Sequence, residues 1–298
     1  MKTESRFEKR PKRVDERAPA KVNLILSVGA RRPDGYHELA SLMETVSLCD
    51  HLTFAADDTL LPGIKLSICG RYCVPEDPTN LVIRASEAYF AAIGTRFGVA
   101  VTLEKNIPTE AGLGGGSADA AATLRALNRM AGSPLSSDKL LEIAASLGAD
   151  VPFCLFGGTA ICRGVGDVIE SVDGSARRFY TVVMGDDRVS TAAAYRALDE
   201  QRRGDVTEFP TREDLRSLAE GGAVRLHNDF EAVVFPSHPV ISDIKRRLLS
   251  LGATDALMSG SGAAVFGVFP DAGSAARAAS AFSDADAFAV ETVGQYYS

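Results

Sequence analysis

Ile107-Pro108-Thr109-Glu110-Ala111-Gly112-Leu113-Gly114-Gly115-Gly116-Ser117 is the stretch on which the fold turns. Upstream of it, Gly98 to Lys105 alternates through Val99, Val101 and Leu103, the period of a strand with one face on a core. Downstream, Ala118 to Ala131 carries a helical stripe at Ala120, Leu124 and Leu127, with Ser117 expected as its N-cap. Four glycines in five residues between a strand and a helix have a direct physical use. A backbone without side chains can wrap an anion, and the free N–H groups of a first helical turn attract phosphate. An exposed helix end contributes only about 0.3–1 kcal/mol, so the lattice of N–H bonds has to carry most of the binding. No Lys-Ser/Thr pair follows the last glycine, which excludes a Walker A loop, and Ser117 stands where a Rossmann fingerprint needs its third glycine. Protein-kinase catalytic motifs are absent as well. Taken alone, the stretch leaves open a glycine-rich turn with a purely structural job.

Working outward, Val22, Leu24, Leu26 and Val28 alternate with Lys21, Asn23, Ile25 and Ser27. That period predicts a half-buried strand with Lys21 and Asn23 sharing the face away from the core. Arg32-Pro33-Asp34-Gly35 supplies turn chemistry before a second apolar run, Leu39 to Leu48, and so predicts a hairpin. Separate strands are expected at Leu52 to Ala55 and Lys65 to Cys69, and a helix from Asn80 to Ile93. A further helix, Ser137 to Leu147, should stop at Gly148, leaving Asp150 just past its end. Beyond a polar linker, Val172 to Arg178, the order is strand Phe179 to Met184, helix Thr191 to Asp199, and helices near 211–220 and 238–251. Strand Ala263 to Phe269, helix Ala272 to Phe282 and strand Ala287 to Val293 follow, an α+β order resembling a split βαβ sandwich.

The bulk numbers bound the function. At 298 residues, two domains are the prior expectation, and 46% hydrophobic with 24% charged residues describes an ordinary globular chain. A net charge of -7 argues against nucleic acid as a partner, which would need a clustered basic surface. The most continuous apolar stretch, Ala263 to Phe269, is far short of the ~20 residues that span a bilayer, so no membrane role is expected. The basic run Lys9 to Arg13 is interleaved with acids and lacks a following apolar segment, which predicts a flexible tail over residues 1–16 and a cytoplasmic protein. Five cysteines (49, 69, 73, 154, 162) show no CxxC spacing and four scattered histidines no HxxxH pair, so neither disulfides nor a zinc site are expected.

Three segments together resemble the GHMP kinases. Pro108 through Gly112-Leu113-Gly114-Gly115-Gly116-Ser117-Ala118 is similar to their phosphate loop, Ala18-Pro19-Ala20-Lys21-Val22-Asn23-Leu24 to their N-terminal motif, and Ser259-Gly260-Ser261-Gly262-Ala263-Ala264 to their C-terminal glycine motif. Arg32-Pro33-Asp34-Gly35-Tyr36-His37-Glu38-Leu39 and Leu147-Gly148-Ala149-Asp150-Val151-Pro152-Phe153 narrow the resemblance to the 4-diphosphocytidyl-2-C-methyl-D-erythritol kinase branch.

The resemblance implies an α+β GHMP kinase fold: a two-layer, ribosomal-S5-like N-terminal domain over 17–175 and a ferredoxin-like split βαβ domain over 176–298. It also implies ATP with Mg2+, and a place in non-mevalonate isoprenoid biosynthesis. Lys21 and Asp150 fall on the catalytic positions. Phosphoryl transfer mainly needs alignment and charge neutralisation. An aspartate of ordinary pKa, about 3.9, can orient a hydroxyl and take its proton late. At ~4 Å and an effective dielectric of ~20 a lysine would attract it by about 4 kcal/mol before desolvation.

Asn80, Lys105, Pro108, Gly112, Leu113, Gly114, Gly115, Gly116, Ser117 and Ala118 are implied on the ATP side, with Ser117 the one implied metal ligand. Asn23, Tyr36, His37, Thr191, Tyr195, Gly260, Ser261 and Gly262 are implied on the acceptor side, where aromatic faces stack on a cytosine and an imidazole meets its polar edge. Glu110 departs from the family loop and is expected either to face solvent or to help hold Mg2+. Two rival readings stay open: a GHMP kinase for another alcohol, homoserine or mevalonate-like, and a catalytically inactive nucleotide-binding protein. A small-molecule substrate is the expected partner, and the assembly a monomer or weak homodimer.

Overall fold

The computed structural model describes residues 11–60, 62–202, 209–222 and 225–295. Strands β1 (Arg13–Arg31), β2 (His37–Ala56) and β3 (Gly63–Gly70) come first, then α1 (Leu81–Ile93), β4 (Gly98–Lys105), α2 (Gly115–Met130) and α3 (Ser137–Leu147). A short α4 (Val151–Phe156) precedes β5 (Thr159–Gly164), β6 (Val168–Ser171) and β7 (Phe179–Met184). Helices α5 (Thr191–Arg202) and α6 (Arg212–Ala219) lead to β8 (His227–Asn228), α7 (Glu231–Ser237) and α8 (Pro239–Ser250). The chain ends with β9 (Asp255–Met258), β10 (Val265–Phe269), α9 (Ala272–Ser280) and β11 (Asp286–Glu291). Two compact units result. The first takes residues up to Pro19, Cys49–Thr109 and Gly114–Leu155; the second takes Ala20–Leu48, Glu110–Leu113 and everything described from Phe156 onward.

In the first unit, β3 runs parallel to β4 from Gly63↔Gly98 to Gly70↔Lys105, and β4 pairs antiparallel with His51–Ala56 of β2. Helix α2 is its central element. Ala118, Ala120, Ala121, Ala122, Leu124, Ala126 and Leu127 are all buried, because small side chains let α1 pack close on one side while α3 covers another. Asn80 caps α1 by accepting from Val82 N at 2.9 Å, and Ser136 caps α3 through Lys139 N at 3.3 Å.

In the second unit, Leu39–Glu44 of β2 pairs antiparallel with β5, β5 with β6, and β1 runs parallel to β8 at Ile25↔His227. A separate antiparallel sheet has the order β11-β7-β10-β9, with α8 and α9 packed on it. In chain order those are its fourth, first, third and second strands, the ferredoxin-like split βαβ arrangement. Buried Tyr180 and Phe266 meet edge-to-face at 5.6 Å in its core.

Several expectations are corrected. Positions 1–10 of the expected tail lie outside the described residues, but Arg13–Glu16 belong to β1. They are strand because Asp15 accepts from Arg13 and Thr53, while Glu16 pairs with Arg125 and Arg129. Leu52–Ala55 is no separate strand but the continuation of β2. β1 is buried on both faces from Ala18 to Val28, so Lys21 and Asn23, 4% and 1% exposed, lie in the interior rather than on an open face. Strands β5, β6, β8 and β9 and helix α7 have no counterpart in the periodicity.

Candidate active site

In the first unit, the end of β4 forms a floor beneath Gly115. As the chain leaves β4, the backbone N–H groups of Asn106 and Ile107 both donate to Asp50 Oδ1, at 2.5 and 2.8 Å. Lys105 Nζ pairs with Asp50 Oδ2 and, at 2.6 Å, with Asp119 Oδ2, all three groups being buried. Burial works against the Lys105 ammonium, but Asp119 and Asp50 together raise its pKa. Burial, with the charge of Asp50 added, pushes the Asp119 carboxyl up to about 8 even though Lys105 opposes the shift. Asp119 Oδ1 is buried with no hydrogen-bond partner. Two carboxylates sharing one ammonium thus favour keeping a proton in the cluster.

Above that floor, α2 begins at Gly115, three residues before the position the sequence suggests. Gly114 is the N-cap with φ 68°, and no side chain caps the helix, so Ser117 sits in the first turn instead of capping it. Positive φ at Gly112 (74°), Gly114 and even Glu110 (54°) shapes this entry, and the left-handed conformation at Gly114 is what allows the helix to start early. A Cβ on Gly115 would lie 3.0 Å from both Ile107 Cγ2 and Lys105 Nζ, whereas Gly116 is exposed and its Cβ would meet only Leu81, at 3.4 Å. The backbone N–H groups at the start of α2 therefore carry no side-chain cap, the condition under which helix ends bind anions. Glu110 is exposed. Asp150 also belongs to this unit; it is half-buried, and its backbone carbonyl accepts Cys154 N at 3.0 Å as α4 begins. Lys105 and Asn80 both hold internal partners, Asn80 also donating to Pro75 O at 2.7 Å.

The second unit holds a cradle of backbone and short polar side chains. Lys21 N donates to Leu113 O at 2.9 Å, and Lys21 Nζ to Asn23 Oδ1 at 2.7 Å. Gly260 N donates to the same Oδ1 at 3.1 Å, while Asn23 Nδ2 donates to Ser41 Oγ at 2.9 Å. Ser259 Oγ reaches Gly112 O at 3.0 Å and Ala264 N reaches Ala111 O at 3.1 Å, which holds Ala111 and Gly112 on the C-terminal glycine motif within this unit. Thr191 Oγ1 and Ser261 Oγ are 2.7 Å apart. Gly262, φ 98°, lies against Met258, whose Sδ would be 2.8 Å from an added Cβ.

An aromatic wall stands in the same unit. The rings of His37 and Tyr195 stack at 4.8 Å and 25°, Phe230 meets Tyr195 edge-on at 4.8 Å, and Tyr36 is 65% exposed. His37 Nε2 is 2.8 Å from Asp199 Oδ1, so the carboxylate fixes that nitrogen as the proton-bearing one. Lys21, Asn23, Thr191 and the glycine motif come together within the second unit, as do His37 and Tyr195; Asp150, Asn80, Lys105 and Ser117 lie in the first. Asp50, Asp119, Asp199 and Phe230 escaped the sequence analysis. For Asp119 a signal was present: an acid on the buried face of an alanine-rich helix asks for a partner.

The chain is similar to known proteins along most of its length. Residues 80–158 match the GHMP kinases N terminal domain and residues 207–287 the GHMP kinases C terminal model. A 4-diphosphocytidyl-2-C-methyl-D-erythritol kinase of Geobacter sulfurreducens is 42% identical over 90% of this chain and 94% of its own length. One from Geobacter metallireducens is 43% identical, covering 85% and 88%. A crystal structure of 4-(cytidine 5'-diphospho)-2C-methyl-D-erythritol kinase, 37% identical, superposes with a TM-score of 0.81 over 94% of this chain and all (100%) of that one. With relatives this similar along nearly its whole length, the chain belongs to the 4-diphosphocytidyl-2-C-methyl-D-erythritol kinase family, a branch of the ATP-dependent GHMP kinases.

Proposed function

We propose that the chain transfers the γ-phosphate of ATP to the 2-hydroxyl of 4-diphosphocytidyl-2-C-methyl-D-erythritol, a step of non-mevalonate isoprenoid precursor synthesis. The observation that carries the phosphate half is the uncapped, glycine-lined start of α2, where N–H groups and helix dipole favour an anion. Asp150 orients the acceptor hydroxyl and takes its proton as the bond to phosphorus forms, while Lys21 neutralises negative charge in the transition state. Tyr36, His37 and Tyr195 form the cytosine site, with Asn23, Thr191 and Gly260-Ser261-Gly262 on the rest of the acceptor.

Among the described residues no group of three or more His, Cys, Asp or Glu side chains is placed to hold a metal. That fits Mg2+ bound chiefly through nucleotide phosphates with Ser117 as a hydroxyl ligand, since this ion keeps few protein ligands and its charge offsets that of the phosphates. No helix among the described residues is long and apolar enough to cross a membrane. A cytoplasmic monomer or weak homodimer acting on small molecules is the setting we assign.

The test is a coupled ADP-release assay with Mg-ATP and a panel of acceptors, including homoserine and mevalonate. Turnover is expected with the cytidyl acceptor alone, and Asp150→Asn should lower kcat by about 10²–10⁴ while nucleotide binding survives. Undiminished turnover in that variant would remove Asp150 from its role.

A further inference from the structure

Strand β8 is only two residues long, yet it leads two consecutive polar side chains, Asn228 and Asp229, into the interior of the second unit. It runs parallel to β1, with Asn228 beside Leu26 and Asp229 N donating to Leu26 O at 3.0 Å. Asn228 is 4% exposed and its amide is fully used. Nδ2 donates to Met258 O and to Gly260 O, both at 2.7 Å, and Oδ1 accepts Phe230 N at 3.0 Å. Three residues on, Glu231 Oε1 accepts Met258 N at 2.9 Å, so Met258's own N–H and carbonyl are both gripped from one short segment. Asp229 fastens that segment in turn, accepting Val28 N at 2.6 Å, His227 Nε2 at 2.7 Å and an Arg202 guanidinium nitrogen at 2.7 Å.

The grip ends at Lys21. Gly260, whose carbonyl Asn228 holds, donates its own N–H to Asn23 Oδ1, and the same oxygen accepts Lys21 Nζ. Asn23 cannot rotate to compensate, because its Nδ2 is spent on Ser41 Oγ, which donates onward to Ile25 O at 2.7 Å. Gly260 stands at φ 57°, a conformation that needs outside fixing to be the single one populated. We propose that Asn228 is a positioning residue for catalysis: by holding both carbonyls that flank Ser259 it fixes Gly260, and through Asn23 the Lys21 ammonium. The inference rests on the catalytic role given to Lys21 above.

A double-mutant cycle tests it. Asn228→Asp keeps the shape but sets carboxylate oxygens against two carbonyls, and Asn228→Ala removes both donors; the pair guards against one variant failing to fold. Each should lower kcat roughly 10²-fold, the scale of a displacement near 1 Å, with KM for ATP changed by less than about threefold. In a Lys21→Ala background the same changes should cost kcat less than about twofold, because the group they position is gone. An equal loss in both backgrounds, or a loss carried by KM, overturns the relay. Lys21→Ala alone retaining parental turnover overturns the role beneath it, a separate and recognisable result. Independently of activity, the side-chain ¹⁵N resonance of Lys21 in lysine-labelled protein, identified by its loss in Lys21→Ala, should shift in Asn228→Asp, and an unmoved resonance speaks against the proposal.

Discussion

Replacing Asp119 by Asn should make the protein more stable relative to its parent as pH rises. In the fold the Asp119 carboxyl stands at about 8, raised by burial and by Asp50. In the unfolded chain it returns to about 3.9. Between those values the folded state holds a proton that the unfolded state has released, so the unfolded state gains ground as pH increases. The stability from this group is fully present below the unfolded pKa and is lost progressively up to pH 8. The slope is about 1.4 kcal/mol per pH unit, or on the order of 4 kcal/mol between pH 5 and 8. Asp119→Asn removes the titrating group, preserves the outline of the side chain, and leaves Lys105 its pairing with Asp50. The difference in unfolding free energy, variant minus parent, should therefore be smallest near pH 4 to 5 and widen steadily to pH 8; other titrations cancel in the difference. Urea unfolding followed by circular dichroism at each pH unit, with m-values compared, reads it directly. A difference that stays flat, or one that narrows as pH rises, would show that Lys105 holds both carboxylates ionised.

Gly112→Ala should be destabilising by about 3 kcal/mol and should abolish ATP turnover. Its Cβ would overlap the Ser259 carbonyl oxygen and come within 2.9 Å of that carbonyl carbon, at φ 74°; a midpoint in urea equal to the parent's would contradict the packing. Arg178→Met should cost about 3–5 kcal/mol, since it strands buried Glu44, whose carboxyl burial already pushes up and whose remaining partners are Tyr180 and Thr292. Adding Glu44→Gln to that variant should recover part of the loss, and strictly additive losses would show that the two residues do not act as a pair.

Much of the architecture was legible because local chemistry and burial agree. Strand β4, the helix capped by Asn80, the helix closed by Gly148 and the Pro33–Gly35 turn all follow from residues whose backbone preferences decide their conformation. The buried state of Lys21 and Asn23 was not legible, since β1 alternates like a half-exposed strand and only tertiary partners such as Ser41 and Gly260 make both faces interior. The start of α2 was misplaced because Ser117 has the better capping side chain, while three successive glycines permit an earlier left-handed entry that propensity does not rank. Asp50 and Asn228 act over long sequence separations, on Ile107 and on Met258, and no periodicity reports such pairings.

The path of the backbone between the units has a consequence for descent. It passes from one to the other at Pro19, Leu48, Thr109, Leu113 and Leu155, five times in all. No single breakpoint in a gene could therefore carry either unit into another chain, and a crossover anywhere between the first and last of these points would join mismatched pieces of both. Exchanging either unit whole would require cutting and rejoining the chain at all five points together.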